Sequence, residues 1–276
     1  GVLRALFLYR DRFRPDQRAR MEAGARALTD WTGGGTENHR LMRWSNGYLF
    51  AQEFGGRWRP TRDPDVTWDA PRLMAALKAK LIEEGKFRYT HGGMAEYLSP
   101  TYLMFHIIPL LNLYDFAEDP ELRTAAEAMI QLHLTHLALN VHKGYILEPH
   151  ARFYSLQYTR GEHTSSPTQF LAWLYFGHME RPPEAILGKS GKYAIMPALS
   201  SFRPPPHLVD LANGTGDVSL PYTTQSACVN RPHGGDRLPR NDLRSVYRHR
   251  TYAIGAAYHK HVPSGFYLQH SKFGIA

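Results

Sequence analysis

The fold class turns on residues 99–140, which read SPTYLMFHIIPLLNLYDFAEDPELRTAAEAMIQLHLTHLALN. Ser99 followed by Pro100 is an N-cap with a first-turn proline. The apolar run behind it predicts a helix buried on most faces and kinked by Pro109. From Pro120 to about Asn140 the residues Leu122, Ala125, Ala126, Met129, Ile130, His133 and Leu137 share one stripe at helical spacing, which predicts a second long helix. Glu118 and Asp119 supply a short link, so the two are expected to form an antiparallel pair.

Upstream, Asp16 to Asp30 places Met21, Ala25 and Leu28 on one stripe behind Pro15, another helix signal. The glycines 33–35 then predict a mobile or sharply turned loop, and residues 37–54 (ENHRLMRWSNGYLFAQEF) show a mixed period. The segment from Asp69 repeats Leu73, Ala76, Leu77 and Leu81 at helical spacing, with Pro71 in the first turn and Gly85 as its expected stop. Downstream, Pro167 to about Gly177 predicts one more helix. Residues 181–245 are rich in Pro, Gly and Arg without a sustained period, and are read as an irregular connecting region. The tail, 246–276, is aromatic and partly alternating, as antiparallel strands are. The expected fold is therefore mainly α, with an incomplete helical toroid over 1–180, followed by an antiparallel β-sheet, sandwich-like, that begins in 246–276. Gly1 in place of a Met, and a strand-like ending at Ala276, lead us to expect sequence on both sides.

The composition bounds the partners. A chain of 276 residues that is 43% hydrophobic and 21% charged can bury a sizeable core, which excludes disorder. Lys and Arg number 33 against 25 Asp and Glu, a formal charge of +8, so anions are the expected partners. Cys228 is the one cysteine, which excludes an intrachain disulfide and paired-cysteine zinc sites. No apolar run reaches the roughly 18 residues of a membrane span, so membrane insertion is not expected.

Three polar segments sit beside apolar helices. The first is Thr36, Glu37, Asn38, His39 and Arg40, where an amide and an imidazole behind a glycine loop can converge on one ligand oxygen, or where Thr36 or Asn38 serves only as a cap. The second is Glu96, Tyr97, Leu98, Ser99, Pro100, Thr101 and Tyr102. Tyr102 is placed in a first helical turn, where the helix dipole favours a phenolate or an anionic ligand; on the residues alone, a core tyrosine whose hydroxyl finds a backbone carbonyl is the better fit. The third is Glu148, Pro149, His150, Ala151, Arg152, Phe153 and Tyr154, where Arg152 can hold a carboxylate through two parallel hydrogen bonds and Tyr154 can stack on a sugar. His133 and His136, three apart, have the spacing to share a metal, but the residues support a structural role better, and no metal site is expected. The run Arg231 to Arg250 is the densest positive stretch and suits phosphate, sulfate or carboxylate, with Arg248 as a candidate contact. The sequence has no nucleophile elbow and no phosphate-binding P-loop.

In order, residues 35–54, 96–134 and 144–154 (the last GYILEPHARFY) resemble the helical-toroid polysaccharide lyases, the group of alginate, glucuronan, chondroitin and heparin-type lyases. The resemblance rests on an Asn-His pair followed by an E-x-x-S-P-x-Y helix start. It implies an incomplete (α/α) toroid followed by an antiparallel β-sandwich, acting on a uronic-acid polymer by β-elimination without a cofactor. It implies that Asn38, His39 and Arg152 neutralise the uronate carboxylate and that Tyr102 is base and acid, with His39 as the alternative base. Substrate contacts would come from Glu37, Arg40, Tyr97, His150, Tyr154 and Arg248. The implied partner is an anionic polysaccharide rather than nucleic acid, and the implied location is secreted or periplasmic. Two other readings stand beside it. A glycoside hydrolase would draw its two acids from Glu37, Glu53, Glu96 and Glu148, and a non-catalytic module would use the Arg231–Arg250 run to bind an anionic chain.

Overall fold

The computed structural model describes residues 2–94, 98–147, 166–177, 191–230, 240–259 and 274–275. These are mainly helical with small antiparallel sheets. The chain divides into two compact units, one of residues 1–86 and 108–129, the other of 87–107 and 130–276.

The first unit begins with α1 (Val2–Leu8), a short 3-10 turn at 10–12, α2 (Pro15–Ala27) and α3 (Glu37–Phe54). A two-residue hairpin, β1 (Arg57–Trp58) with β2 (Trp68–Asp69), leads into α4 (Ala70–Thr90). The segment of mixed period is a single helix, α3. It shows no clean stripe because Leu41, Trp44, Ser45, Gly47, Tyr48, Leu49, Phe50 and Ala51 are all buried, on more than one face. Nor does α4 stop at Gly85. A Cβ there would come 3.1 Å from Met129 Sδ, so the glycine answers a close approach inside the helix. Arg4, on α1, is buried: its Nε donates to Asn112 Oδ1 at 3.1 Å and its Nη2 to Asp115 Oδ2 at 2.6 Å. Glu53 lies between Arg10 at 3.2 Å and Arg18 at 2.6 Å.

Residues 108–129 of this unit hold most of α5 (Leu103–Phe116) and the first half of α6 (Pro120–Leu139). The helix pair is thus present with a three-residue link, 117–119, where Asp119 Oδ1 caps the Leu122 N–H. α5 continues through Pro109 and starts at Leu103, three residues later than the Ser-Pro signal implies.

In the second unit α6 ends at Leu139 and gives way to the hairpin β3 (Val141–His142) and β4 (Tyr145–Ile146). α7 (Pro167–Phe176) follows, with Ser166 Oγ accepting the Gln169 N–H and Pro167 in the first turn. The region expected to be irregular, 181–245, instead contains α8 (Gly191–Ala198), α9 (Pro206–Asn213), β5 (Tyr222–Asn230) and much of β6 (Arg240–Arg248). With β7 (Ala253–His259) and β8 (Gly274–Ile275) these strands form one antiparallel sheet in the order β5-β6-β7-β8. The sheet therefore begins at residue 222, ahead of the expected 246. Leu147, Val246 and Ala253 form a small buried cluster beneath it. No helix among the described residues is long and apolar enough to cross a membrane.

Candidate functional site

The Asn-His segment is built by its turn. Asp30 takes a left-handed conformation at φ 66°, and its carboxylate lies where a Cβ on Gly33 would meet it, so a side chain at 33 would displace that carboxylate. Arg43 holds that carboxylate at 3.2 Å and the Gly34 carbonyl at 3.0 Å, while Trp44 Nε1 donates to the Gly33 carbonyl at 3.1 Å. The loop expected to be mobile or sharply turned is sharply turned and tied to α3 by these bonds. Thr36 is the N-cap, yet its hydroxyl accepts nothing from the helix; it donates to Asn38 Oδ1 at 2.5 Å. That bond occupies the amide oxygen of the buried Asn38 and leaves the Nδ2 hydrogens as its donating side.

Around it the candidates differ. His39 is exposed and Glu37 buried. Arg40 is mostly committed within its own unit: Nη1 donates to the Gly35 carbonyl at 3.3 Å, Nη2 to Glu84 Oε1 at 3.4 Å, and the guanidinium lies over Trp44. Its assignment as a substrate contact therefore competes with an ion pair to a carboxylate that is 3% exposed. Glu84 had no signal in the sequence, since it sits 44 residues away on another helix.

Tyr102 belongs to the second unit. It immediately precedes α5 rather than lying in its first turn, and is half-buried. Its N–H donates to Ser99 Oγ at 3.2 Å, and its carbonyl accepts the Phe105 N–H at 2.9 Å. The turn is fixed from α7: Thr168 Oγ1 donates to the Ser99 carbonyl at 2.7 Å, and its N–H to the Pro100 carbonyl at 3.0 Å. Leu98 before it has φ 45°. Tyr102 therefore stands immediately before a helix whose entering turn is held by Ser99 and Thr168.

The same unit has an unusually polar interior. His106 and His133 are buried with ring centroids 6.0 Å apart, and His133 Nε2 has no hydrogen-bond partner. Burial, then the neighbouring His106, His136 and Arg88, hold His133 well below the ordinary histidine value. Burial and Arg244 bring His136 down to about 4. The 91–94 turn packs directly on His136: Gly93, at φ 96°, leaves no room for a Cβ against that ring. The sequence pattern noted the pair His133 and His136 but had no means of adding His106 from α5. Among the described residues no group of three or more His, Cys, Asp or Glu side chains is placed to hold a metal ion.

Two expectations need correction. Arg248 is 2% exposed, and its Nη1 and Nη2 each donate at 2.7 Å to the carbonyls of Leu211 and Ala212, at the end of α9. It fastens helix to sheet and is not placed to touch a substrate. The basic run is likewise not a uniform cationic surface, because Arg244 and Arg248 turn inward while Arg250 is exposed. Tyr97, His150, Arg152 and Tyr154, with Glu96 and Glu148, lie outside the described residues, as do residues 231–239.

Asn38 and His39 thus stand in the first unit and Tyr102 in the second, each at a helix start shaped by its own turn. The chain matches no protein-family model, no curated protein and no solved structure.

Proposed function

We propose that the protein is a polysaccharide lyase that cleaves a uronic-acid-containing polymer by β-elimination, with its helices forming an incomplete (α/α) toroid. The observation that carries this reading is the setting of Tyr102. It is a half-buried tyrosine immediately before an apolar helix, with Ser99 holding its N–H and Thr168 holding the turn, so the residue proposed as base and acid stands on a fixed backbone. Asn38, whose oxygen is occupied by Thr36, keeps its amide hydrogens to offer to a carboxylate.

In this reaction a base takes the C5 proton of the uronate, and the C5–H electrons form the C4=C5 double bond. The C4–O bond breaks as they do so, and the leaving oxygen takes a proton from the acid. The obstacle is the carboxylate beside C5, which resists further negative charge. Asn38, His39 and Arg152 would accept that charge as oxyanion-hole donors do, and Tyr102 would carry the proton from C5 to the leaving oxygen. No cofactor is needed for these steps. Glu37, Arg40, Tyr97, His150 and Tyr154 are the proposed contacts to the polymer. A substrate of this kind lies outside the cytoplasm, so the protein is assigned to the secreted or periplasmic space.

The test is turnover on polyglucuronate, alginate and glycosaminoglycans, read as ultraviolet-absorbing unsaturated uronyl ends. Tyr102→Phe is expected to abolish it with the fold intact, and Asn38→Ala to lower kcat by about 10²–10³. Unchanged turnover in Tyr102→Phe would remove the tyrosine from the mechanism.

A further inference from the structure

The sheet unit carries a second feature outside the residues assigned to the reaction. Two tight turns adjoin: the β3–β4 turn, with Lys143 at φ 49° and Gly144 at φ 83°, and the β6–β7 turn, residues 249–252. Lys143 Nζ donates to the Thr251 carbonyl at 3.3 Å, and the His142 ring is hydrogen-bonded to the Thr251 backbone. The second turn is closed by the His249 N–H on the Tyr252 carbonyl at 2.8 Å and by His249 Nδ1 with Thr251 Oγ1 at 2.9 Å.

On this base three rings gather. Tyr252 lies 5.0 Å from His249 and 5.8 Å from Tyr247 between ring centroids, and it is hydrogen-bonded to Tyr247 through the side chains. Tyr252 remains 40% exposed and Tyr145, on the neighbouring turn, 42%; Lys143 and Arg250 are exposed as well. The exposed cations Lys143 and Arg250 thus stand on the same two turns as the exposed tyrosines. The sequence adds the decisive charge asymmetry: neither residues 128–147 nor residues 243–276 contain a single Asp or Glu.

We propose that these two turns form a binding platform for an anionic polysaccharide, with Tyr252 stacking on a sugar face and Arg250 and Lys143 holding its carboxylates. The platform takes no part in bond cleavage; it holds the chain between turnovers. The flat, C–H-lined face of a pyranose suits a phenol, and the guanidinium fork of Arg250 suits a carboxylate. The choice of a uronate chain over a nucleic acid rests on the reading of Asn38, His39 and Tyr102 given above.

The experiment is affinity electrophoresis of the full chain in native gels containing polyglucuronate, in a Tyr102→Phe background so that the polymer stays intact. Tyr252→Ala and Arg250→Gln are each expected to weaken retardation about tenfold, and Arg250→Gln to flatten its salt dependence. Tyr252→Phe is expected to bind like the parent. Should Tyr252→Ala lose the sheet, Arg250→Gln, an exposed change, carries the test alone. Parental retardation in both Tyr252→Ala and Arg250→Gln overturns the platform. Preferential retention by single-stranded DNA, lost in the same variants, overturns it too, because the surface then reads nucleic acid. If the unaltered chain yields no unsaturated product while the variants still lose retardation, the platform stands and the lyase reading falls.

Discussion

Arg4 in the first unit and Arg248 in the second are buried cations held in opposite ways. In the first, Arg4 is matched by Asp115 at 2.6 Å, and Arg40 by Glu84. In the second, Arg248 is held by the carbonyls of Leu211 and Ala212. An ion pair ties a cation to a group that titrates, whereas a carbonyl cage ties it to one that does not. Among the described groups of the second unit, burial holds His133 and His136 below the ordinary histidine value. The lesson is that similar burial of charge leaves the two units vulnerable to different insults.

Acidification is expected to separate them most widely. An unfolded imidazole titrates near 6.5, and His133 and His136 titrate lower when folded, so the unfolded chain binds more protons in between. Their contribution is complete above about pH 6.5 and is lost as pH falls towards 4. In the first unit Asp119 is lowered from an ordinary 3.8, chiefly by its hydrogen bond with Lys78. Its contribution is lost only as pH falls below this value. Hydrogen exchange read by mass spectrometry should show residues 130–139 losing protection between pH 6.5 and 4 while α2 and α3 keep theirs. Simultaneous loss in both would break the comparison.

Single substitutions sharpen it. Arg4→Leu takes the guanidinium from the buried Asp115 carboxylate, and is expected to cost about 3–5 kcal/mol in chemical denaturation. Adding Asp115→Leu should restore much of the loss. Arg248→Met should cost less, about 1–3 kcal/mol, because it strands two carbonyls rather than a charge. A larger cost for Arg248 than for Arg4 would reverse the argument. The smallest effect is expected for Arg62→Ala, within about 1 kcal/mol, since Arg62 is an exposed partner of Asp30 and Arg43 remains on the same carboxylate.

Much of the helical framework was legible because its signals are local. Pro15, Pro120 and Pro167 open their helices as expected, and the stripe of α6 marks its buried face. What escaped has physical reasons. The start of α5 slipped because Ser99 caps a turn that Pro100 occupies before the helical ladder begins. The helix α3 showed no stripe because it is buried on more than one side, and α8 and α9, at eight residues each, are too short to declare a period. In the candidate site, Asn38 and Tyr102 could be singled out by their neighbours in sequence, but Glu84 and Thr168 act from 44 and 69 residues away, and no local pattern reports that. Arg248 misled for a related reason. An arginine in a basic run looks like surface until the carbonyls that bury it are in view.

The central claim is elimination at a uronate, and mass spectrometry of the products released from polyglucuronate tests it most directly. β-Elimination predicts oligomers lighter by one water than those of hydrolysis, each with an unsaturated terminal sugar. Fully hydrated oligomers, or an intact polymer, would contradict it.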